Sequence, residues 1–250
     1  MQDVDYFSVP ALSASLAKQL VRSAAHGREY MLNPPKQTAA MAIGTVAHAL
    51  ILEPHRQDVF VIKRENWTTK EGKAEKAALE ATGLPILTQA EADAAQRMRD
   101  SVLAIPDIAS AIANGKTEVP SFWDGRGVNC KAKADLVCGD TIFDIKTTDD
   151  ASPRAFLSAV YKWKYAAQAA HYLDGFDGAD FIFIAVEKTA PYGVGIYRLT
   201  PAMLREGDAM MQIAAERYAH GMATGEWPGL THDIIEIGPS DGYTLTDAEF

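Results

Sequence analysis

The sequence KAKADLVCGDTIFDIK, residues 131–146, holds two segments of alternating polar and apolar residues that meet at a Gly-Asp pair. Such a pair between two β-rich segments is typical of a hairpin with a two-residue turn. If this pair forms the turn, the register places Asp135 opposite Asp144. Lys133 then lies opposite Lys146. Because side chains alternate between the two faces of a strand, all four project from one face, and the apolar residues between them face a core.

The residues before this hairpin predict a third strand in the same sheet. The segment 117–123 is rich in β-forming residues, and DGRG at 124–127 indicates a four-residue turn into the hairpin. With that turn, Glu118 falls opposite Lys133, on the face of the two aspartates. Pro120 cannot donate a hydrogen bond to a neighbouring strand, so this strand is predicted at an edge of the sheet.

The shared face predicts a metal site. It carries Glu118, Asp135, Asp144, Lys133 and Lys146. Opposed residues in a sheet have Cβ atoms about 4.5–5.5 Å apart, and like charges at that separation are destabilising. One interpretation is a solvated outer face on which lysines neutralise acids; the other, which we favour, is a bound divalent cation. Oxygen ligands suit Mg²⁺, with Mn²⁺ as a substitute, rather than zinc. Lys146 is then placed to orient or deprotonate an attacking water, as phosphodiester hydrolysis requires.

The motif Asp135…Asp144-Ile145-Lys146 resembles the core of the PD-(D/E)XK nuclease superfamily. The similarity is greatest to RecE-type (exonuclease VIII-like) phage and prophage exonucleases. It runs through AIGTVAHALILEP (42–54), EVPSFW (118–123), CKAKAD (130–135), QAAHY (168–172) and AVEKTAPY (185–192). The resemblance covers about residues 6–229. It departs at Lys133-Ala134, where the family tends to have Arg-Pro, and in the last twenty residues.

The resemblance implies a fold class and a domain organisation. We expect an α/β, restriction-endonuclease-like core with a mixed central sheet flanked by helices and an N-terminal helical extension. A single exonuclease domain would span residues 1–230, followed by an acidic C-terminal tail at 231–250.

The resemblance also implies roles for individual residues. His48 lies in an apolar helix, where a lone histidine is usually a core residue, but the resemblance makes it a metal ligand. The predicted ligands are His48, Asp135, Asp144 and the backbone carbonyl of Ile145. The predicted catalytic residues are Lys146, Asp144, Asp135, Glu118 and Gln168, with Glu118 either holding a second metal or supporting the first. The predicted DNA contacts are Lys131, Lys133, Lys164 and Tyr172.

The residues after the hairpin predict one helix from Pro153 to about residue 174, capped by Ser152. Tyr161, Tyr165, Gln168 and Tyr172 share one face of that helix at spacings of four, three and four. An aromatic stripe of this kind is more often core than site. Gln168 is the unusual member, because a buried glutamine needs hydrogen-bond partners.

The activity implied by the resemblance is that of a DNA exonuclease. It would digest linear duplex DNA from 5′ ends, release 5′-phosphate nucleotides and leave a 3′ overhang for a RecT-like single-strand annealing protein in recombination. A ring-shaped homo-oligomer would explain processive digestion. Two alternatives stay open, a site-specific endonuclease of the same superfamily and a non-catalytic DNA-binding phage accessory protein.

Charge and composition constrain how DNA is held. The 250 residues carry a net charge of −9, from 24 basic and 33 acidic residues, whereas DNA-binding surfaces are usually basic. The segment 126–164 has seven basic and five acidic residues, and the last twenty residues have five acids and no lysine or arginine. We therefore expect a basic channel in an acidic body. The two cysteines exclude a four-thiolate iron–sulfur cluster. No signal peptide and no membrane span are predicted. Together with the resemblance to phage and prophage exonucleases, this favours the cytoplasm of a bacterial host.

Overall fold

A computed structural model of the protein describes residues 3–35, 39–56, 58–64, 66–176 and 180–234. The predicted acidic tail lies outside the described residues from 235 onward. The helices are α1 Asp3–Ser8, α2 Ala14–Arg22, α3 Ala24–Leu32, α4 Ala39–Leu52, α5 Lys70–Glu80, α6 Gln89–Leu103, α7 Pro106–Asn114, α8 Pro153–Trp163, α9 Tyr165–Gly175 and α10 Pro201–Thr224. The strands are β1 Val61–Ile62, β2 Ile86–Leu87, β3 Lys116–Gly125, β4 Val128–Cys138, β5 Thr141–Thr148, β6 Asp180–Glu187 and β7 Val194–Arg198.

A five-stranded mixed sheet in the order β3-β4-β5-β6-β7 forms the centre of the fold. Strands β5 and β6 pair in parallel, and the other neighbours pair antiparallel. One buried cluster packs α4, α6 and α7 against the sheet, and another packs α8 and α9 against it. The predicted mixed sheet flanked by helices is confirmed, and so is the edge position of β3. Among the described residues, none of the helices has the length and apolar character needed to cross a membrane.

The β4–β5 hairpin has the predicted two-residue turn. Cys138 pairs with Thr141, and Gly139 in the turn adopts a φ of 61°, which glycine takes without steric cost. Pairing then stops at Leu136 and Phe143. Asp135 and Asp144 come next in the same register, so they lie just where the two strands part.

The predicted four-residue turn between β3 and β4 is wrong. The turn has two residues, Arg126 and Gly127, both with positive φ, as a type I′ hairpin requires. The register is therefore shifted by two, and Pro120 rather than Glu118 lies opposite Lys133. In this register Glu118 falls opposite Asp135, although its left-handed φ of 55° takes it out of the ladder pairing; the two carboxylates still lie in one group with His48.

The single helix predicted after β5 is also wrong, because the chain breaks into α8 and α9 at Lys164. This residue adopts a left-handed conformation, with φ 52° and ψ 46°. The predicted cap is confirmed, since the Ser152 side chain accepts a hydrogen bond from the backbone of Ala155. The break leaves Tyr161 on α8, where it is 58% exposed, so it does not belong to a common stripe with the residues of α9. No glycine or proline marks the break in the sequence.

The N-terminal segment pairs with β4 beyond the point where β4 and β5 part. Leu12 donates its N–H to the carbonyl of Asn129 and accepts a hydrogen bond from the N–H of Lys131. Leu12 is fully buried, in a cluster that α2 and α10 share with Cys130 of β4. The helical extension thus packs directly beside the strands that carry the predicted site.

Candidate active site

His48, Glu118 and Asp135 form a compact group of potential metal ligands. The Nε2 atom of His48 lies 2.8 Å from Oδ2 of Asp135, and its Nδ1 atom lies 3.6 Å from Oε1 of Glu118. One ligand atom from each residue lies within 4.8 Å of the others. Helix α4 reaches the sheet closely because Gly44 has no side chain; a Cβ there would lie 3.1 Å from Oγ1 of Thr147. The donor set of one imidazole and two carboxylates fits a divalent ion such as Mn²⁺ or Mg²⁺.

Asp144 lies outside this group and is more deeply buried, with 2% of its surface exposed. Its Oδ1 atom accepts a hydrogen bond from Nε2 of Gln168 at 2.5 Å. Its Oδ2 atom contacts the ammonium of Lys146 and has no other hydrogen-bond partner among the described residues. A buried carboxylate oxygen with one partner retains capacity for a further ligand. The solvated outer face considered from the sequence is thus ruled out for Asp144.

Asp135 is held in place by the backbone of the neighbouring strand. Its Oδ2 atom accepts a hydrogen bond from the N–H of Ile145 at 2.8 Å. Ile145, predicted to supply a carbonyl ligand, therefore also fixes an acid of the site. The same oxygen faces His48, so one carboxylate connects α4, β4 and β5.

The two aspartates have pKa values that diverge. Burial is the largest influence on both and raises the pKa of Asp144. For Asp135, the charge and hydrogen bond of His48, with the charge of Lys146 and the N–H of Ile145, together outweigh burial and lower its pKa. Burial also acts against protonated Lys146 and His48, but the neighbouring carboxylates outweigh it and raise the pKa of both. Lys146 is therefore a buried ammonium ion, stabilised first by Asp144 and then by Asp135.

Lys18 of α2 is a site residue that the sequence reasoning missed. Its Nζ atom donates to Oε1 of Gln168 at 3.0 Å, and Gln168 in turn donates to Asp144. Burial, followed by the positive charge of Lys146, lowers the pKa of Lys18 to about 7. A signal was present in the sequence, because Lys18 stands four residues after Ala14 and thus interrupts the buried face of an amphipathic helix.

The residues predicted to contact DNA differ in their surroundings. The ammonium of Lys133 pairs with Glu118, and that of Lys131 donates to the backbone carbonyls of Tyr6 and Val9. The Tyr172 hydroxyl donates to the carbonyl of Lys133 at 3.1 Å. Lys164 lies at the α8–α9 junction, where its charge helps to lower the pKa of Lys18. Lys131 and Lys133 thus make bonds within the protein at the wall of the site.

Residues 13–234 match the model of a family described as PDDEXK-like domain of unknown function (DUF3799). A comparison with curated proteins finds no match. Among solved structures, a protein from Eubacterium rectale described as a "Putative exonuclease" aligns with a TM-score of 0.68 at 14% sequence identity. That alignment covers 100% of this chain and 98% of the other, and at such an identity it shows a shared fold.

Two further structures align more weakly. A phage related exonuclease from Haemophilus somnus 129PT has a TM-score of 0.41 at 11% identity, covering 89% of this chain and 100% of that chain. An alkaline exonuclease from Laribacter hongkongensis has a TM-score of 0.34 at 13% identity, covering 74% and 94%.

Proposed function

This chain belongs to the family of PDDEXK-like domains of unknown function (DUF3799), and from this we propose that it is a divalent-metal-dependent DNA exonuclease. The membership confirms the superfamily and the restriction-endonuclease-like fold class predicted from the motif that ends in Asp144-Ile145-Lys146. The family description assigns no activity, and the residues of the site support the reaction proposed here.

The observation that carries the proposal is the meeting of two groups at the point where β4 and β5 part. One is the potential ligand set of His48, Glu118 and Asp135. The other is the buried pair of Asp144 and Lys146. A non-catalytic protein would gain no stability from keeping these acids close together, because Asp144 and Asp135 lose much of their hydration there. This favours a nuclease over a non-catalytic DNA-binding protein.

We propose that His48, Asp135 and Asp144 hold the ion, with the Ile145 carbonyl as a further ligand and Glu118 beside them. A bound Mg²⁺ or Mn²⁺ supplies Lewis acidity, which polarises the scissile phosphate and lowers the pKa of a coordinated water. Asp135 suits a ligand role because its lowered pKa keeps it ionised. Gln168 orients Asp144 through its amide N–H.

Lys146 would act as a cation next to the scissile phosphate. Its raised pKa keeps it protonated, so its N–H groups can orient the attacking water and offset the negative charge that develops on phosphorus. The other role predicted for it, removal of a proton from that water, requires the pKa of Lys146 to fall first.

The finer features of the activity rest on the resemblance of the sequence to RecE-type exonucleases. They are digestion from 5′ ends of linear duplex DNA, release of 5′-phosphate nucleotides, and a 3′ overhang passed to a RecT-like annealing protein. A ring-shaped homo-oligomer belongs to the same set of proposals. The name of the Eubacterium rectale neighbour supports an exonuclease over a site-specific endonuclease.

The test is nucleotide release in Mg²⁺ from a linear duplex labelled at either the 5′ or the 3′ end, with a closed circular duplex of the same sequence as the control. We expect release from the linear DNA, with the 5′ label lost first, and an intact circle. Cutting of the circle would contradict the exonuclease and support the site-specific endonuclease. Binding without hydrolysis of either DNA would support the non-catalytic DNA-binding protein.

A further inference from the structure

A cavity of about 550 Å³ lies beside the candidate active site, between the N-terminal segment, α2, α3 and α10. Its aromatic lining comprises Tyr6, Phe7, Tyr30, Tyr172 and Tyr218. Phe7 is 72% exposed, so the cavity lining includes an aromatic ring that solvent reaches. Lys131 is the only charged residue among the described residues that line the cavity. A cavity of this size and composition is within the range of small-ligand sites.

The cavity and the carboxylates share a wall. Tyr172 lines the cavity, and its hydroxyl donates to the backbone carbonyl of Lys133, whose ammonium pairs with Glu118. Burial raises the pKa of Tyr172 well above its ordinary value, and the charges of Asp144 and Asp135 raise it further, as expected for a phenol close to both acids. The Lys133 ammonium also lies 5.8 Å from the ring centroid of Phe7, another residue of the lining, so the cavity borders the acids at which a phosphate would bind.

We propose that this cavity binds one unpaired nucleobase of the DNA strand whose backbone passes the carboxylates. This inference rests on the proposed nuclease function and extends it to the way the site receives the end of its substrate.

The lining fits a nucleobase better than it fits a phosphate. Bases stack on aromatic side chains, and every base has a π-face, so an aromatic cavity accepts all four. The one lysine of the lining is already engaged, because its ammonium donates to the carbonyls of Tyr6 at 3.0 Å and Val9 at 2.7 Å and also lies over the Tyr6 ring at 5.0 Å. The phosphate would remain outside, at the acids and Lys146.

Tyr30 gives a discriminating test, since it lines the cavity and makes no described contact with the proposed metal ligands. The substrates are two linear duplexes that differ only in the terminal nucleotide of the digested strand, which carries either adenine or no base. The measured quantity is the KM for release of that nucleotide. For the wild type, we expect a KM about tenfold higher for the abasic end, as stacking of one base implies.

In Tyr30→Leu, which keeps an apolar side chain but removes the π-face, we expect this ratio of KM values to fall towards one. Tyr30→Phe, which keeps the aromatic ring, should keep most of the wild-type ratio of KM values. Tyr6→Leu repeats the test on a second lining residue in case Tyr30→Leu does not fold. Tyr161→Leu, an exposed tyrosine of α8 outside the cavity lining, serves as the matched control and should keep the wild-type ratio.

Equal KM values for the two ends in the wild type would overturn the base-binding proposal. A rise in KM in Tyr30→Leu that is equal for both ends would also overturn it, because such a rise indicates a structural role for Tyr30. Neither result contradicts the proposed nuclease function, because nucleotide is released in both. Absence of release from either duplex by the wild type would instead overturn the proposed function, and the inference with it.

Discussion

The carboxylate of Asp135 accepts a hydrogen bond from the backbone N–H of Ile145, 2.8 Å away, directly beyond the last paired residues of β4 and β5. A side chain thus takes the place of a strand partner where the hairpin opens. The opening admits Gln168 from α9, while α4 brings His48 to the same carboxylate. The geometry of the site follows from this divergence of two strands.

Gln168 should be important for stability as well as for activity. Gln168→Leu leaves Asp144 without an amide donor and Lys18 without its acceptor, in a site where neither is well hydrated. We expect a loss of about 1–3 kcal/mol in the free energy of unfolding, measured by urea denaturation, together with slower nucleotide release. Gln212→Leu is the control, since Gln212 is exposed on α10 and bonds only to Glu216 among the described residues. An equal loss in both variants would refute the buried network.

Stability should also depend on the close packing of α10 on α9 at Gly207. A Cβ at Gly207 would lie 2.1 Å from the backbone carbonyl oxygen of Ala166, so Gly207→Ala forces the helices apart. We expect destabilisation of about 1–3 kcal/mol and reduced activity, because α9 carries Gln168. Gly229→Ala, where nothing lies within 4 Å of the added Cβ, should be close to neutral. A Gly207→Ala protein as stable as the wild type would contradict the packing.

Lys18 should titrate near neutral pH in the metal-free protein, because burial and Lys146 lower its pKa to about 7 from an ordinary 10.5. Between these values the unfolded chain binds a proton that the folded chain does not, so stability should rise with pH. One proton gives a slope of up to about 1.4 kcal/mol per pH unit. Urea denaturation between pH 7 and 10 should show this slope in the difference between the wild type and Lys18→Met, because other shifted groups, such as Cys130 with a pKa raised to about 11, titrate in both proteins.

The matched variants for this slope are Lys18→Met, which should lose it, and Lys73→Met on the exposed face of α5, which should keep it. Nitrogen NMR of the lysine side chains reads the pKa directly. A resonance of Lys18 that titrates at an ordinary lysine pKa would contradict the buried position of its ammonium.

Metal affinity should depend on the protonation of His48. The carboxylates of Asp135 and Glu118 outweigh burial and raise its pKa above the ordinary 6.5. In the metal-free protein, protonated His48 thus contributes stability that is fully present below pH 6.5 and is lost as pH rises through the raised pKa. Because a ligating imidazole must be neutral, the proton competes with the ion.

Isothermal titration with Mn²⁺ should therefore show affinity falling, by up to about tenfold per pH unit, as pH drops below that pKa. His48→Gln should bind more weakly and with less dependence on pH. His220→Gln, an exposed histidine of α10, should behave as the wild type. A pH dependence unchanged in His48→Gln would exclude the histidine as a ligand.

Local patterns were sufficient to predict the turn of the hairpin and the pairs next to it, but the predicted opposition of Lys133 and Lys146 is wrong, because pairing ends at Leu136 and Phe143. The Gly-Asp pair specifies a two-residue turn, and alternation fixes the faces. The β3–β4 register was mispredicted because a shift by two residues leaves that alternation unchanged, so only the turn geometry at Arg126 and Gly127 distinguishes the two registers.

The remaining errors concern contacts between residues distant in the sequence. Lys164 ends α8 in a left-handed conformation although it has a side chain, so composition gave no warning of the break. Lys18 reaches Gln168 across 150 residues of sequence. The aromatic cavity likewise assembles from segments as distant as Tyr6 and Tyr218. Contacts like these depend on tertiary packing, which periodicity does not report.

The central claim, that the acids at the β4–β5 divergence form a metal-dependent nuclease site, is tested most directly by the rate of nucleotide release from linear duplex DNA in Mg²⁺. The variants are Asp135→Asn and Asp140→Asn, the latter in the exposed turn of the same hairpin. We predict that the wild type and Asp140→Asn release nucleotides, and that folded Asp135→Asn and wild type with EDTA do not. Release by Asp135→Asn at the wild-type rate, or release that persists in EDTA, would contradict the account.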